Sequence, residues 1–454
     1  MLTFVDIIFI FMYFLVIGLV GYFSSKNETS EDFFIAERNL NTFNSVCSIT
    51  STKINAEHLL TIVSAVYLFG ISTIWIVIGV IFGYTLFLQF AIGLKKEGDL
   101  NNYYTMGDYF KHRYGTITSK IVSIIIVTYL FCNVSIQFIA GSKIIESLTS
   151  LPFCMGVLLC SVVISFYLFL GGFKVVIKTD IVQFVSMFLL LFVLGVFLYS
   201  NFEFVPSQWE IFAVGPKLII VFFLIGFILP FATPALWQRI FAVKDVKTVK
   251  KSLILVTIVY TFFCMLLIFL AFIIKIKLPG IDPDTALIAG FQNLLPTGFL
   301  GIGIVTLFAA IMSSADSYIF VASEMLLYNI LGLKRSVRSL KIGIIFISTL
   351  TTISALFFMS LLNVMYILLG LACVVSSAVI ASWIWKYISS IVVISGMLIG
   401  VIGIFLFIIL AGMENMRILP IIGLFGGISG MIIGKCILLV IKVHEYFRIK
   451  YISY

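Results

Sequence analysis

About thirteen stretches of the chain stay apolar for the ~20 residues a helix needs to cross a bilayer. They lie near 4–23, 41–70, 72–94, 120–148, 153–172, 175–200, 217–241, 249–275, 297–329, 341–359, 361–385, 389–412 and 418–442. The polar segments between them alternate in character. One set is basic: 95–120, 173–178, 238–251, 332–341, 385–387 and 442–450. The other set is short, acidic or nearly neutral, as in 201–210; the exception, Lys275 and Lys277, is diluted by Asp282 and Asp284. Lysine and arginine gather in cytoplasmic loops. The alternation therefore predicts a multi-pass protein of the cell membrane (plasma or bacterial inner membrane), N-terminus outside and C-terminus cytoplasmic. No soluble domain, linker or low-complexity tract is readable.

Composition agrees with that pattern. The chain is 62% hydrophobic and only 11% charged, where a soluble domain carries roughly a quarter charged residues. The net charge of +9 is absorbed by the basic loops, so no nucleic-acid partner is expected. The seven cysteines fall in apolar spans without a CxxC pair and read as small buried hydrophobes. Three histidines without ligand spacing make zinc a poor expectation, and no other cofactor or protein partner has a signature. The first apolar run lacks a basic flank and a cleavage site and reads as a retained span.

Setting the first span aside, spans two to six and seven to eleven form two groups of five. An odd number of spans per group gives the groups opposite orientation. Transporters built this way bind at the midplane, where helices in matching positions are broken. The first span of each group qualifies here. One carries "SITSTKINAEHLL" (48–60); the other carries "GFILPFATPALWQR" (226–239), with Pro230 and Pro234 four residues apart. A proline frees a carbonyl, and freed backbone persists in a membrane only when it lines a cavity or is buried in protein.

The segment "AAIMSSADS" (309–317) puts hydroxyls and a carboxylate into an otherwise apolar span. Ala310, Ser313, Ser314 and Ser317 share one helical face, and Asp316 flanks it. Hard oxygens without histidine or thiol favour a hard cation, and too few carboxylates are present for magnesium or calcium, so a small monovalent cation fits best. The alternatives are close helix packing through small residues and serine bonding to its own helix.

These motifs, with "EDFFIAERNLN" (31–41), "GGFKVVIKTDIVQFV" (171–185) and "WQRIFAVKDVKTVKK" (237–251), make the chain resemble the sodium:solute symporter family over about residues 30–385. The resemblance implies an all-α polytopic membrane protein with a LeuT-like inverted repeat of two five-helix halves. Residues 1–39 would hold an extra N-terminal helix and a cytoplasmic loop, 40–200 and 217–385 the repeats, and 389–454 two further helices and a tail. It implies a main sodium site from backbone oxygens of Ser51, Ile54 and Ala310 with the hydroxyls of Ser313 and Ser314. A second sodium site or exit path would use Asp180, Ser313, Asp316 and Ser317. Arg239 resembles the family's cytoplasmic-side arginine; read alone, it is an ordinary positive-inside charge.

The expected function is sodium-coupled symport of a small organic solute by alternating access, not enzymatic catalysis, with sodium, the solute and the bilayer as partners. Lys53, Asn55, Glu57, His58, Gln137 and Thr233 are the candidates for the solute pocket. The pocket offers few groups for a polyol, whose buried hydroxyls each need a partner. An organic anion or amino acid is therefore favoured over a sugar. Lys53 has three readings: it pairs with Glu57 one turn on, it receives a solute carboxylate, or it replaces the ion in a sodium-independent or proton-coupled transporter. A membrane sensor on the same fold is a further alternative.

Overall fold

The computed structural model describes residues 2–452 apart from 27–28, 150, 200–202, 358–360, 386, 413–415 and 417. Its helices are α1 (Phe4–Ser24), α2 (Ser30–Ile35), α3 (Thr42–Lys53), α4 (Ala56–Phe69), α5 (Ile74–Asn101), α6 (Met106–Leu148), α7 (Phe153–Leu198) and α8 (Gly215–Ala232). They continue as α9 (Pro234–Ala242), α10 (Val246–Lys277), α11 (Ala286–Leu294), α12 (Leu300–Glu324), α13 (Val337–Phe357), α14 (Leu361–Ile384), α15 (Ser390–Ala411) and α16 (Leu419–Ile452). Local chemistry sets many of the starts. Thr3 with Asp6, Thr29 with Asp32 and Thr105 with Asp108 form reciprocal caps, and Asn41, Asn55 and Asp245 cap α3, α4 and α10.

Both expected breaks are present. The α3–α4 axis is interrupted at Ile54 (φ −88°, ψ 73°) and Asn55 (φ −88°, ψ 171°). The α8–α9 axis is interrupted at Thr233 (φ −90°, ψ 99°), with Pro230 inside α8 and Pro234 opening α9. A two-bond parallel bridge joins the start of the first broken helix to the end of the second. Leu40 N donates to Ala242 O at 3.0 Å, and Lys244 N donates to Leu40 O at 3.2 Å.

Among the described residues eleven segments are long and apolar enough to span a membrane, and two of them each run through two of the thirteen spans expected from the sequence. These two, Ala56–Asn101 and Phe153–Leu198, are 46 residues long. A straight helix of that length would run ~69 Å, more than twice the hydrocarbon thickness. Both are interrupted, the first by a tight turn at Gly70–Thr73 and the second at Gly171–Gly172. Gly172 has φ 52° and ψ −149°, which only glycine adopts freely, and a Cβ there would meet Phe33 at 2.6 Å. The basic stretch 95–120, read as a loop, is mostly helical: α5 continues to Asn101 and α6 begins at Met106, bending at Gly115.

Packing places the polar segment at the centre. The apolar window of α12 is 94% buried, against 22% for α1 and for α16. α1 is held to the outside of α12 by one strong contact, Gly301 N donating to Asp6 Oδ1 at 2.6 Å. α5 and α8 approach at backbone contact, because a Cβ on Gly79 would sit 2.1 Å from Phe223 O and one on Gly83 2.4 Å from Phe227 O.

Candidate functional site

The last turn of α3 has carbonyls with no partner further along its own helix, because the helix stops at Lys53. α12 supplies the partners. Ser313 Oγ donates to Ser51 O at 3.0 Å, and Ser314 Oγ donates to Thr52 O at 3.1 Å. Both hydroxyls also lie within bonding reach of Ala310 O, at 3.1 and 3.2 Å. Thr52 Oγ1 returns a bond to Ser313 O at 3.2 Å. Ser51, Ser313 and Ser314 are fully buried.

Ser51, Ala310, Ser313 and Ser314, expected together, are thus together. Ile54, expected with them, is the first residue beyond α3 and is buried in the break. Thr52 was not anticipated. Its signal was its place between Ser51 and Lys53 at the end of a helix, where carbonyls are released. The two packing alternatives for the serines also occur, since they bond their own helix and hold α3 against α12. The donor set is carbonyls and hydroxyls alone, neutral and hard, which suits a monovalent cation.

Beside this junction lies a charged knot. Arg239 of α9 is fully buried and is not a surface charge. Its Nη2 donates to Asp180 Oδ2 at 2.8 Å and to Ser317 Oγ at 2.7 Å; its Nε donates to Ser48 Oγ at 2.6 Å. Ser48 Oγ in turn donates to Asp180. Asp316 has no direct bond to Arg239: it accepts from Tyr167 OH at 2.7 Å, from Ser317 N at 2.5 Å and from Ser317 Oγ at 3.2 Å. Of the second expected group, Asp180 and Ser317 are therefore joined through Arg239, Ser317 Oγ also reaches Ser313 O and Asp316 Oδ1 at 3.2 Å each, and the other oxygen of Asp316 turns to Tyr167 of α7.

A cavity of about 690 Å³ opens at the α3–α4 break. Lys53, Asn55, Glu57, His58 and Thr233 line it, as do Tyr260 and Tyr318, which the sequence did not single out. His58 Nε2 lies 2.8 Å from Tyr260 OH, and Thr233 Oγ1 donates to Leu229 O at 2.8 Å. Gln137 is not among the lining residues. It stands behind the break, where its Oε1 accepts from Ala56 N at 3.2 Å. The cavity reaches Asp282 and Asp284 in the connection between α10 and α11. Burial and the neighbouring Asp282 push the Asp284 carboxyl above the usual range, and the Ser64 hydroxyl partly offsets this.

Comparison with known proteins adds independent findings. The sequence profile of the Sodium:solute symporter family matches residues 33–400. The osmoregulated proline transporter OpuE of Bacillus subtilis is 27% identical over 339 residues, covering 69% of this chain and 68% of that protein. Sodium/proline symporter 2 of Staphylococcus saprophyticus is 26% identical over 342 residues, covering 70% and 67%. A Na+-coupled sialic acid symporter, solved in a substrate-bound outward-open state, superposes with a TM-score of 0.80 at 18% identity, covering 96% of this chain and 98% of that one. At that identity the superposition establishes a shared fold.

Proposed function

The chain belongs to the sodium:solute symporter family, and on that premise we propose that it carries a small amino acid across the cell membrane together with sodium. It is a multi-pass transporter with the five-plus-five inverted-repeat fold. Residues 40–200 and 217–385 are the two inverted repeats, preceded by an extra helix and followed by two more. The N-terminus lies outside and the C-terminus in the cytoplasm, supported by the alternation of basic loops.

The carrying observation is the pair of hydroxyls, Ser313 and Ser314, set against the carbonyls of Ser51 and Thr52 at a helix break in an apolar chain. Sodium takes the oxygens of Ser51, Thr52, Ala310, Ser313 and Ser314, with the Ile54 carbonyl next in line. Bound there, it ties the broken helix to α12 and orders the cavity beside it. The membrane potential adds about 2.3 kcal/mol per charge per 100 mV. The amino-acid substrate is supported by the two proline transporters among the relatives and by Lys53 in the cavity wall. Arg239 also borders the cavity. Its knot with Asp180, Ser48 and Ser317 closes the cytoplasmic route and must open for release past Asp180.

Thermal stability of the purified protein in sodium chloride against equal choline chloride tests the ion site. A ligand bound only by the folded state at 100 times its Kd stabilises by about 2.7 kcal/mol. The gain should appear in sodium alone and vanish in Ser313→Ala/Ser314→Ala. A wild type indifferent to sodium, with an effect of pH or of Lys53 instead, would overturn the sodium coupling.

A further inference from the structure

An amino acid carries a carboxylate and an ammonium on one carbon. The cavity wall carries a cation, Lys53, and an anion, Glu57, on either side of the α3–α4 break, away from the two aspartates, Asp282 and Asp284, of the connection between α10 and α11. Lys53 is the last residue of α3 and Glu57 the second of α4; both line the cavity. Among the described residues neither side chain makes a hydrogen bond or an ion pair. They do not pair with each other because the break intervenes. Their spacing would bring them together on a continuous helix, but Ile54 and Asn55 leave helical geometry between them. The Tyr260 ring lies 5.7 Å from the Lys53 ammonium and supports its charge.

Three other polar groups beside the break are engaged. Arg239 is committed to Asp180, Ser48 and Ser317; His58 is near Tyr260; Thr233 bonds its own helix. Two backbone N–H groups at the start of α4 are engaged as well. In a broken helix the free N–H groups of the second segment often hold a solute carboxylate. Here Ala56 N donates to Gln137 Oε1 at 3.2 Å and His58 N to Asn55 Oδ1 at 2.7 Å, so side chains of the protein already occupy that position.

We infer that Lys53 and Glu57 form a clamp for a zwitterion, Lys53 receiving the solute carboxylate and Glu57 its amino group. The clamp rests on the symport reading above and refines it. It selects free amino acids over carboxylates without an amino group and over amines without a carboxylate. A site built to pair a charged group rejects the analogue that lacks it, because its own charge is then left buried and unpaired.

The test is stabilisation of the purified full chain, in sodium chloride, by three equimolar pools: the common amino acids, their N-acetyl derivatives and their amides. The free pool should act at concentrations about tenfold or more below either derivative. Glu57→Gln should bring the N-acetyl pool level with the free pool, and Lys53→Met should do so for the amide pool. Equal action of free and N-acetyl pools on the wild type, or unchanged selectivity in Glu57→Gln, would refute the clamp. Sodium without any pool serves as the control. If sodium stabilises wild type and both variants while the free pool does nothing, the clamp is wrong and symport stands. If sodium has no effect even on wild type, the symport reading fails, and the comparison of pools still decides the clamp.

Discussion

Replacing Arg239 by methionine tests the charged knot most directly. The guanidinium donates to four acceptors: Ser48 Oγ at 2.6 Å, Ala235 O at 3.2 Å, Asp180 Oδ2 at 2.8 Å and Ser317 Oγ at 2.7 Å. Arg239 and Asp180 are both fully buried, so water reaches neither. Methionine keeps most of the stem but strands the Asp180 carboxylate with the Ser48 hydroxyl. Breaking one side of a buried pair costs about 3–5 kcal/mol, chiefly from the charge left behind. The same reasoning makes Arg239→Met/Asp180→Leu much milder, within about 1 kcal/mol of wild type, because both charges leave together. Equilibrium unfolding of the four proteins of the cycle in mixed detergent gives the coupling. A single-variant loss under ~1 kcal/mol, or a double variant as unstable as the sum of the singles, would refute the claim that the buried Asp180 carboxylate depends on Arg239. Transport by the same proteins separates stability from gating. If the knot closes the cytoplasmic route, the double variant remains folded and binds sodium, but leaks solute down its gradient without sodium.

Two further outcomes follow from packing and charge. Gly83→Val on α5 requires moving the α8 backbone, since even a Cβ would stand 2.4 Å from Phe227 O; a loss of about 1–3 kcal/mol from overpacking should register as a lowered Tm. Asp282→Asn/Asp284→Asn removes two charges from the cavity mouth. Half-saturation for sodium-driven uptake should rise about two- to fivefold at low ionic strength and return toward wild type in high salt. Because Asp284 titrates above the usual carboxylate range, its negative charge is present at high pH. It is lost as pH falls through that raised value. The difference between wild type and Asp284→Asn should therefore fade at a less acidic pH than an ordinary carboxylate would give.

The fold was legible because membrane solvation writes it into composition: spans, breaks and the buried serine helix follow from which residues hydrocarbon tolerates. The two prolines marked the broken stretch 226–239, and the structure puts the break at Thr233; Asn55, read as a pocket residue, also caps the new helix at Ala56. What stayed hidden depends on contacts between distant segments. Arg239 reads as one more basic residue near a loop until Asp180, 59 positions earlier, is seen against it. Gln137 has the chemistry of a solute ligand, yet it braces Ala56. The pairing of Lys53 with Glu57 is correct helix arithmetic applied across a place where the helix ends. The bend in α7 was legible too: the glycine pair and the short basic stretch 173–178 separate two apolar runs, and the helix turns at Gly171–Gly172.

The order of residues at the first break bears on how ion and solute would be coupled. Ser51, Thr52 and Lys53 are consecutive: two carbonyls facing α12, then the ammonium facing the cavity. An ion held by those carbonyls fixes the peptide planes of the last turn of α3, and with them the stem of Lys53. A solute carboxylate on Lys53 orders the same turn from the other side. Whichever ligand arrives first meets part of the ordering cost of the second, and that shared cost is a coupling free energy, reciprocal by necessity. The serine hydroxyls limit the cost without the ion, because they donate to the same carbonyls and keep α3 seated on α12. They do not fix it as a cation would, since each hydroxyl has a second acceptor in Ala310 O and can turn away. Coupling on this view needs no long pathway between sites. It follows from placing the two binding groups on adjacent residues of a helix end that neither its own backbone nor the bilayer can hold in place.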